Sequence, residues 1–303
     1  MNERAPLVIV LACVEGSDRV LPASLEALQR QLTGGRGEVL LVAAPGAHGP
    51  VSRLATSVGV RWIASRGELV PELWADGFRA SESDAVGFLI PQCVVRPGWV
   101  AALLEELALG AGAAGGYFTL AADSTATDAA LYFLRYAAFS DAGRPTREVE
   151  DVAGDNAIYY RDALLPHAAT FTNGFWEVDL HRRFRSEGIR MMLCGGAVAE
   201  FGGALGLWSM AAQRFTHGRH FGDWRASQQR RSRVVSLILA PAVPFVLVLR
   251  IVRRVWRRVG ERSRLLAALP ALTVLSGAWA LGEVCGALAG HASPRVAQGS
   301  TAD

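Results

Sequence analysis

Apolar residues fall into two kinds of pattern along the first half of the chain. Uninterrupted runs rich in Val, Ile and Leu occur at residues 7–13 (LVIVLAC), 38–44 (EVLLVAA) and 84–90 (DAVGFLI), with a shorter one at 60–63. Runs of this kind mark strands buried on both faces of a sheet. Between them, apolar positions recur at helical spacing: Leu21, Leu25, Leu28 and Leu32 first, then within residues 51–58, 69–81 and 99–109. Gly34-Gly35 ends the first helix, while Pro45-Gly46 and Arg96-Pro97-Gly98 supply turns. Strand and helix alternate, which predicts an α/β domain: a mixed, mostly parallel sheet with helices on both faces and right-handed crossovers. Ligands in such sheets bind beyond the carboxyl ends of the strands, which points to Glu15 and to residues 43–46 and 91–94.

Farther along, the pattern is less decisive. Residues 110–116 are a Gly/Ala run, 117–120 read as a strand, and 122–140 fit helix or loop equally. Residues 141–151 are polar, contain Gly143 and Pro145, and read as a mobile loop over a site. Residues 157–160, 190–194 and 197–201 read as further strands.

The C-terminal part changes character. Residues 234–249 are apolar and uncharged but hold Pro241 and Pro244, and they fall short of the about 20 apolar residues a spanning helix needs. Residues 265–282 form a second apolar run. Between the two runs lie Arg250, Arg253, Arg254, Arg257, Arg258, Arg262 and Arg264. Basic loops favour the cytoplasmic face, so the expected topology keeps this loop and the α/β domain there. The first run then reads as an interfacial or re-entrant helix and residues 265–289 as the membrane span, with two full crossings as the alternative. A pair of buried core helices in a soluble protein is the bland reading, against which the arginine clusters speak. Residues 291–303 are polar and read as a disordered tail.

Composition adds limits. Hydrophobic residues make up 51% of the 303 residues, and none of the 31 basic residues is lysine. A net charge of +3 without a basic-aromatic stripe argues against nucleic acid. Cys13, Cys93, Cys194 and Cys285 are scattered with no CxxC, which fits reduced, buried thiols. The first residues have no signal-peptide layout.

The candidate chemistry concentrates in residues 154–188. Gly154-Asp155-Asn156 is a turn before a strand; Thr172-Asn173-Gly174 is a second turn, and Asn173 or Gly174 is the expected helix start. Glu177 and Asp179 are two apart and so do not share a helix face; one can enter a cleft while the other meets Arg182 or Arg183. A carboxylate held at a helix start beside aromatic rings suits a general base. The plain alternative is a solvated first-turn acid favoured by the helix dipole. Asp155 and Asn156 either meet a ligand or serve local turn hydrogen bonds. Trp176 either stacks on a sugar or packs in the core, and His181 and His220 read as ordinary surface or packing histidines.

Taken in order, these stretches resemble family 2 glycosyltransferases of the GT-A fold (the nucleotide-diphospho-sugar transferase, Rossmann-like type) over roughly residues 6–225. VIVLACVEGSDRVLPASLEALQRQ resembles their first strand, acidic loop and helix; EVLLVAAPG their second strand; DAVGFLIPQCVVRPGW the strand carrying the metal motif. GDNAIYYRDALL and FTNGFWEVDLHRRFRSEG are similar to the acceptor loop and the helix of the catalytic base. The resemblance makes residues 1–225 the transferase domain and 226–290 the membrane-associated region. It implies Glu177 as catalytic base, with Asp155, Asn156, Trp176 and Asp179 toward the acceptor. Glu15 and Gln92 then face the donor, and Arg214, His217 and Arg219 its diphosphate. Two departures stand out. Ala43 and Ala44 replace the aspartate expected after strand two, and Ile90-Pro91-Gln92 replaces Asp-x-Asp. Magnesium and manganese take hard oxygen ligands, so no tightly held metal is expected, at most weakly bound Mg2+ or Mn2+. The implied activity is inverting, metal-independent transfer from a nucleotide-sugar donor to a lipid-linked or cell-envelope glycan acceptor, at the cytoplasmic side of a bacterial cell membrane. The rival is a degenerate domain acting as a membrane-bound assembly subunit. A nucleotidyltransferase is a distant third, lacking its metal carboxylates.

Overall fold

Strand β1, Leu7–Cys13, is an interior strand of the sheet, and all seven of its residues are buried. The computed structural model describes residues 6–140, 143–203, 206–228 and 242–289. The chain divides into two compact units, one made of residues 1–128 and 135–204, the other of 129–134 and 205–303. The change after residue 204 falls earlier in the chain than the boundary near 225 expected from the sequence.

The first unit holds one nine-stranded sheet in the order β3-β2-β1-β4-β8-β6-β9-β5, with β7 added on β9. Here β2 is Glu38–Ala43, β3 Arg61–Ala64, β4 Ala85–Leu89, β5 Cys93–Val95, β6 Ala113–Leu120, β7 Arg147–Val149, β8 Asn156–Tyr160 and β9 Met191–Phe201. Strands β3, β2, β1 and β4 run parallel, β8 runs against β4 and β6, and β9 runs parallel to β6. The helices between them are α1 (Leu21–Gln29), α2 (His48–Val58), α3 (Val70–Arg79) and α4 (Trp99–Ala108). Then follow α5 (Ala126–Tyr136), the short α6 (Arg161–Leu164) and α7 (Glu177–Glu187).

The first four strands lie within a residue or two of their expected bounds, because runs of Val, Ile and Leu bury both faces of a central strand. Several expectations are corrected. Strand β6 begins at Ala113, inside the Gly/Ala run. Its glycines are there because neighbours crowd them: a Cβ on Gly115 would meet Val152 and one on Gly116 would meet Asn156. The two closing strands are one, β9, whose register with β6 slips between Gly116 and Tyr117. The polar loop 141–151 is partly strand, since β7 pairs antiparallel with Met191–Leu193. Strand β5, which overlaps the expected site loop 91–94, also pairs with β9. The ambiguous 122–140 stretch contains α5, set by Thr125, whose hydroxyl accepts from the Asp128 amide while Asp128 caps the Thr125 amide.

The second unit contains α8 (Leu207–Gln228), α9 (Val243–Val255) and α10 (Arg262–Ala289). The expected basic loop 250–264 is therefore mostly helical: Arg250, Arg253 and Arg254 lie on α9, and Arg262 and Arg264 open α10. The first half of the first apolar run, residues 234–241, and the tail 291–303 lie outside the described residues. Among the described residues, one helical stretch, Val259–Leu288, is long and apolar enough to cross a membrane. Of the cysteines, Cys13, Cys93 and Cys194 are buried as expected and Cys285 is exposed.

Candidate active site

The site assembles where strand ends converge. Leu11 of β1 pairs with Leu41 of β2 and Leu89 of β4, so these three strands end at one rim. Strand β8 runs the other way, and its first residue, Asn156, pairs with Leu89. The turn feeding β8 therefore brings Gly154 and Asp155 to the carboxyl end of β4. Glu177 packs directly on that turn: a Cβ on Gly154 would lie 3.2 Å from the Glu177 Cβ and 3.3 Å from its carboxyl carbon. A side chain there would press the Glu177 carboxylate aside by a few tenths of an ångström.

Helix α7 is pinned from its amino end. Gly174 has φ +105° and passes within 3.2 Å of the Pro71 and Glu72 backbone at the start of α3, which no side-chain-bearing residue does without strain. The Phe175 amide donates to the Pro71 carbonyl at 2.7 Å. The Phe175 ring sits among Trp74, Phe88, Tyr159 and Phe171, with centroids 4.4–6.3 Å away. Leu180, His181 and Phe184 are buried on the inner face, and Gly188 in the left-handed conformation ends the helix. The helix begins at Glu177 with Trp176 as the residue before it, three or four positions later than Asn173 or Gly174.

Glu177 is half-buried, and its carboxyl pKa is raised, first by burial. Its own backbone N–H works the other way, Asp155 adds to the rise, and His181 and Arg135 oppose it. Asp155 is 3% exposed; it pairs with Arg135 and accepts from the Tyr136 hydroxyl at 2.5 Å. The Cys93 thiol lies 3.8 Å from that hydroxyl. Burial also drives the Tyr136 pKa well up, so the phenol is a fixed donor. The site thus holds one carboxylate neutralised by an arginine beside another that burial makes more basic than an ordinary glutamate.

Arg135, Tyr136, Asp151 and Tyr159 carried no local signal in the sequence. His181, expected to be an ordinary packing histidine, has both ring nitrogens engaged. Nδ1 meets the Asp151 carboxylate, and Nε2 lies 2.9 Å from the Tyr159 hydroxyl. It sits one helical turn after Glu177, a spacing that marks a shared face and was the one available hint.

The other expected residues divide. Asn156 is fully buried, accepting from Trp99 Nε1 at 2.6 Å and donating to the Tyr117 carbonyl at 3.1 Å, so it holds the core together instead of facing a ligand. Asp179 is paired with Arg182 and Arg183, the surface ion pair that was its plain alternative. Trp176 is half-buried at the mouth of α7. Glu15 is exposed past β1, with its carboxylate beside Gly46 at the end of β2. Gln92 is half-buried, and its backbone carbonyl accepts from the Gly202 amide. Arg214, His217 and Arg219 lie on α8 in the second unit, where the Arg214 guanidinium is 6.0 Å from the centroid of the Trp279 ring.

A metal has little to hold it at the end of β4. Ile90 is apolar and 4% exposed, Pro91 offers no side-chain donor, and Gln92 supplies one neutral carbonyl. Among the described residues, no three His, Cys, Asp or Glu side chains gather as metal ligands. The residues present do not fit Mg2+ or Mn2+, which take several hard oxygens and usually a carboxylate.

No protein-family model matches the chain, and no curated protein matches it. Solved structures do. The chain is similar to the mannosyltransferase PcManGT from Pyrobaculum calidifontis in complex with GDP-Man and Mn2+, at TM-score 0.53 and 13% identity over 93% of this chain and 88% of that one. The fold is that of a GT-A nucleotide-sugar transferase. A weaker likeness, at TM-score 0.46 and 15% identity, is to glucosyl-3-phosphoglycerate synthase from Mycobacterium tuberculosis in complex with Mn2+, UDP and phosphoglyceric acid. It covers 69% of this chain and 74% of that one.

Proposed function

We propose that the protein is an inverting hexosyltransferase that moves a sugar from a nucleotide-sugar donor to a lipid-linked or cell-envelope glycan acceptor without a resident metal. The observation that carries this reading is Glu177: a half-buried carboxyl of raised pKa, seated on Gly154 at the carboxyl end of β4 in a GT-A fold. In the reaction its carboxylate removes the proton of the acceptor hydroxyl. The acceptor oxygen forms a bond to the anomeric carbon from the face opposite the donor diphosphate. The anomeric C–O bond breaks, its electron pair leaves with the nucleoside diphosphate, and the configuration inverts. The proton passes from Glu177 to solvent. Base catalysis of this kind contributes about 10²–10⁴-fold.

The arginine-rich, apolar second unit supports a site at a lipid surface on the cytoplasmic side, where lipid-linked acceptors are concentrated. Incubation of the full chain with a panel of labelled nucleotide sugars and a polyprenyl phosphate or glycan acceptor tests the reading. Sugar transfer that Glu177→Gln abolishes supports it; transfer that survives the substitution removes Glu177 as base. A chain that binds no nucleoside diphosphate in titration is the assembly subunit instead. Single replacements of Arg214, His217 and Arg219, read as nucleotide affinity, test the diphosphate role expected of them.

A further inference from the structure

Helix α10 is long and apolar enough for a membrane span, yet its neighbours within the second unit argue otherwise. Gly218 and Gly222 of α8 and Gly282 and Gly286 of α10 form a seam with no room for a Cβ. One on Gly218 would strike the Trp279 carbonyl, and one on Gly282 the Phe215 carbonyl. One on Gly286 would strike the Arg219 carbonyl, so the two helices run parallel in backbone contact. Glu283 lies in this seam, 7% exposed. Arg219 and His220, next to Gly218 on α8, are exposed. Exposed ionisable groups at that level keep the last turns of α10 out of hydrocarbon. What remains free of α8's charges, residues 265–278, is about 21 Å long at 1.5 Å per residue, against the roughly 30 Å of a bilayer core.

Helix α9 has the opposite character. Ile251 and Val255 are buried, while Phe245 is 75%, Leu249 49% and Trp256 45% exposed. Spacings of four and seven place these three on one stripe. Arg253 and Arg250, both exposed, follow on one side of it, about 60° and 120° round the helix, while Arg254 lies on the far face. A rigid apolar stripe edged by arginines complements a bilayer interface carrying negative headgroups, with the rings among acyl chains and the guanidiniums among phosphates.

We propose that the second unit is monotopic: α9 docks the protein on an anionic lipid surface through Phe245, Leu249 and Trp256 with Arg253 and Arg250 beside them, and α10 is held by α8 without crossing. This rests on the lipid-surface part of the reading above and not on the transfer chemistry.

Flotation of the full chain with phosphatidylcholine vesicles, with and without phosphatidylglycerol, tests it. Expected is flotation with the anionic vesicles only, reversed by raised salt. The double variant Arg250→Gln, Arg253→Gln should bind about 25-fold more weakly, roughly fivefold per arginine. Phe245→Asp with Leu249→Asp should abolish binding, with unchanged circular dichroism showing that the helices persist. Protease added outside should remove tags from both termini of the vesicle-bound protein. Salt-resistant binding with only one terminal tag cleavable means that α10 spans, and equal binding by wild type and variants means that α9 is not the docking face; either result overturns the proposal. A wild-type chain that ignores both vesicle types removes the lipid surface from the reading altogether, while the nucleotide-sugar assay judges the transfer chemistry separately.

Discussion

Glu177 combines a cost and a use. A carboxyl whose pKa is raised by burial favours the fold while protonated and loses that contribution as pH rises through its folded value. Glu177→Gln removes the cost, so the variant should transfer sugar about 10²–10⁴-fold more slowly and yet melt no lower than wild type at neutral pH, as scanning calorimetry would read. Only the ionised form accepts the proton. The rate should therefore rise with pH through an inflection above the ordinary glutamate range. Asp155→Asn removes a charge that lifts that inflection and leaves Arg135 unopposed, so the inflection should move down. It also breaks a largely buried pair, costing about 2–3 kcal/mol, reduced from the full value because Arg135 is 31% exposed. The place of Glu177 in the first turn of a helix was legible because helix starts announce themselves through turn residues and first-turn acids. Arg135, Tyr136 and His181 were not: their partners Asp155, Asp151 and Tyr159 lie far off in sequence, and only the strand order brings them together.

Elements differ in how openly they declare themselves. β1, β2 and β4 need apolar side chains on both faces and display them. β6 and β9 need glycine where neighbours press close, and glycine reads as loop. The same crowding gives a test at Gly154. A methyl there would stand 3.2 Å from Glu177 Cβ, so Gly154→Ala should displace the carboxylate and cut turnover at least tenfold. Thermal stability should change little, since a solvent-side shift of Glu177 relieves the contact. The glycine seam of the second unit has no such escape. Gly282→Val drives side-chain atoms into the Phe215 backbone and should cost about 1–3 kcal/mol or more, visible as increased hydrogen exchange in α8 and α10 with the sheet unaffected.

At the scale of the whole chain, the alternation of strand and helix was enough to place the sheet, and the expected site loops do lie at its carboxyl rim. Three reversals escaped notice, β5, β7 and β8 against their neighbours, because periodicity carries no direction. Helicity across the arginine-rich stretch 250–264 escaped too, since charge masked the helical repeat. The donor end of the site carries the last test: a chelator should leave transfer unchanged, because Ile90-Pro91-Gln92 offers a single neutral oxygen. Parallel strands also have a second rim. Thr33, Gly34, Gly35 and Arg36 form an exposed bend feeding the start of β2, and a Cβ on either glycine would meet nothing within 4 Å. An affinity tag or fluorophore spliced there would sit across the sheet from the reacting groups, giving a handle for purification or immobilisation that leaves turnover untouched.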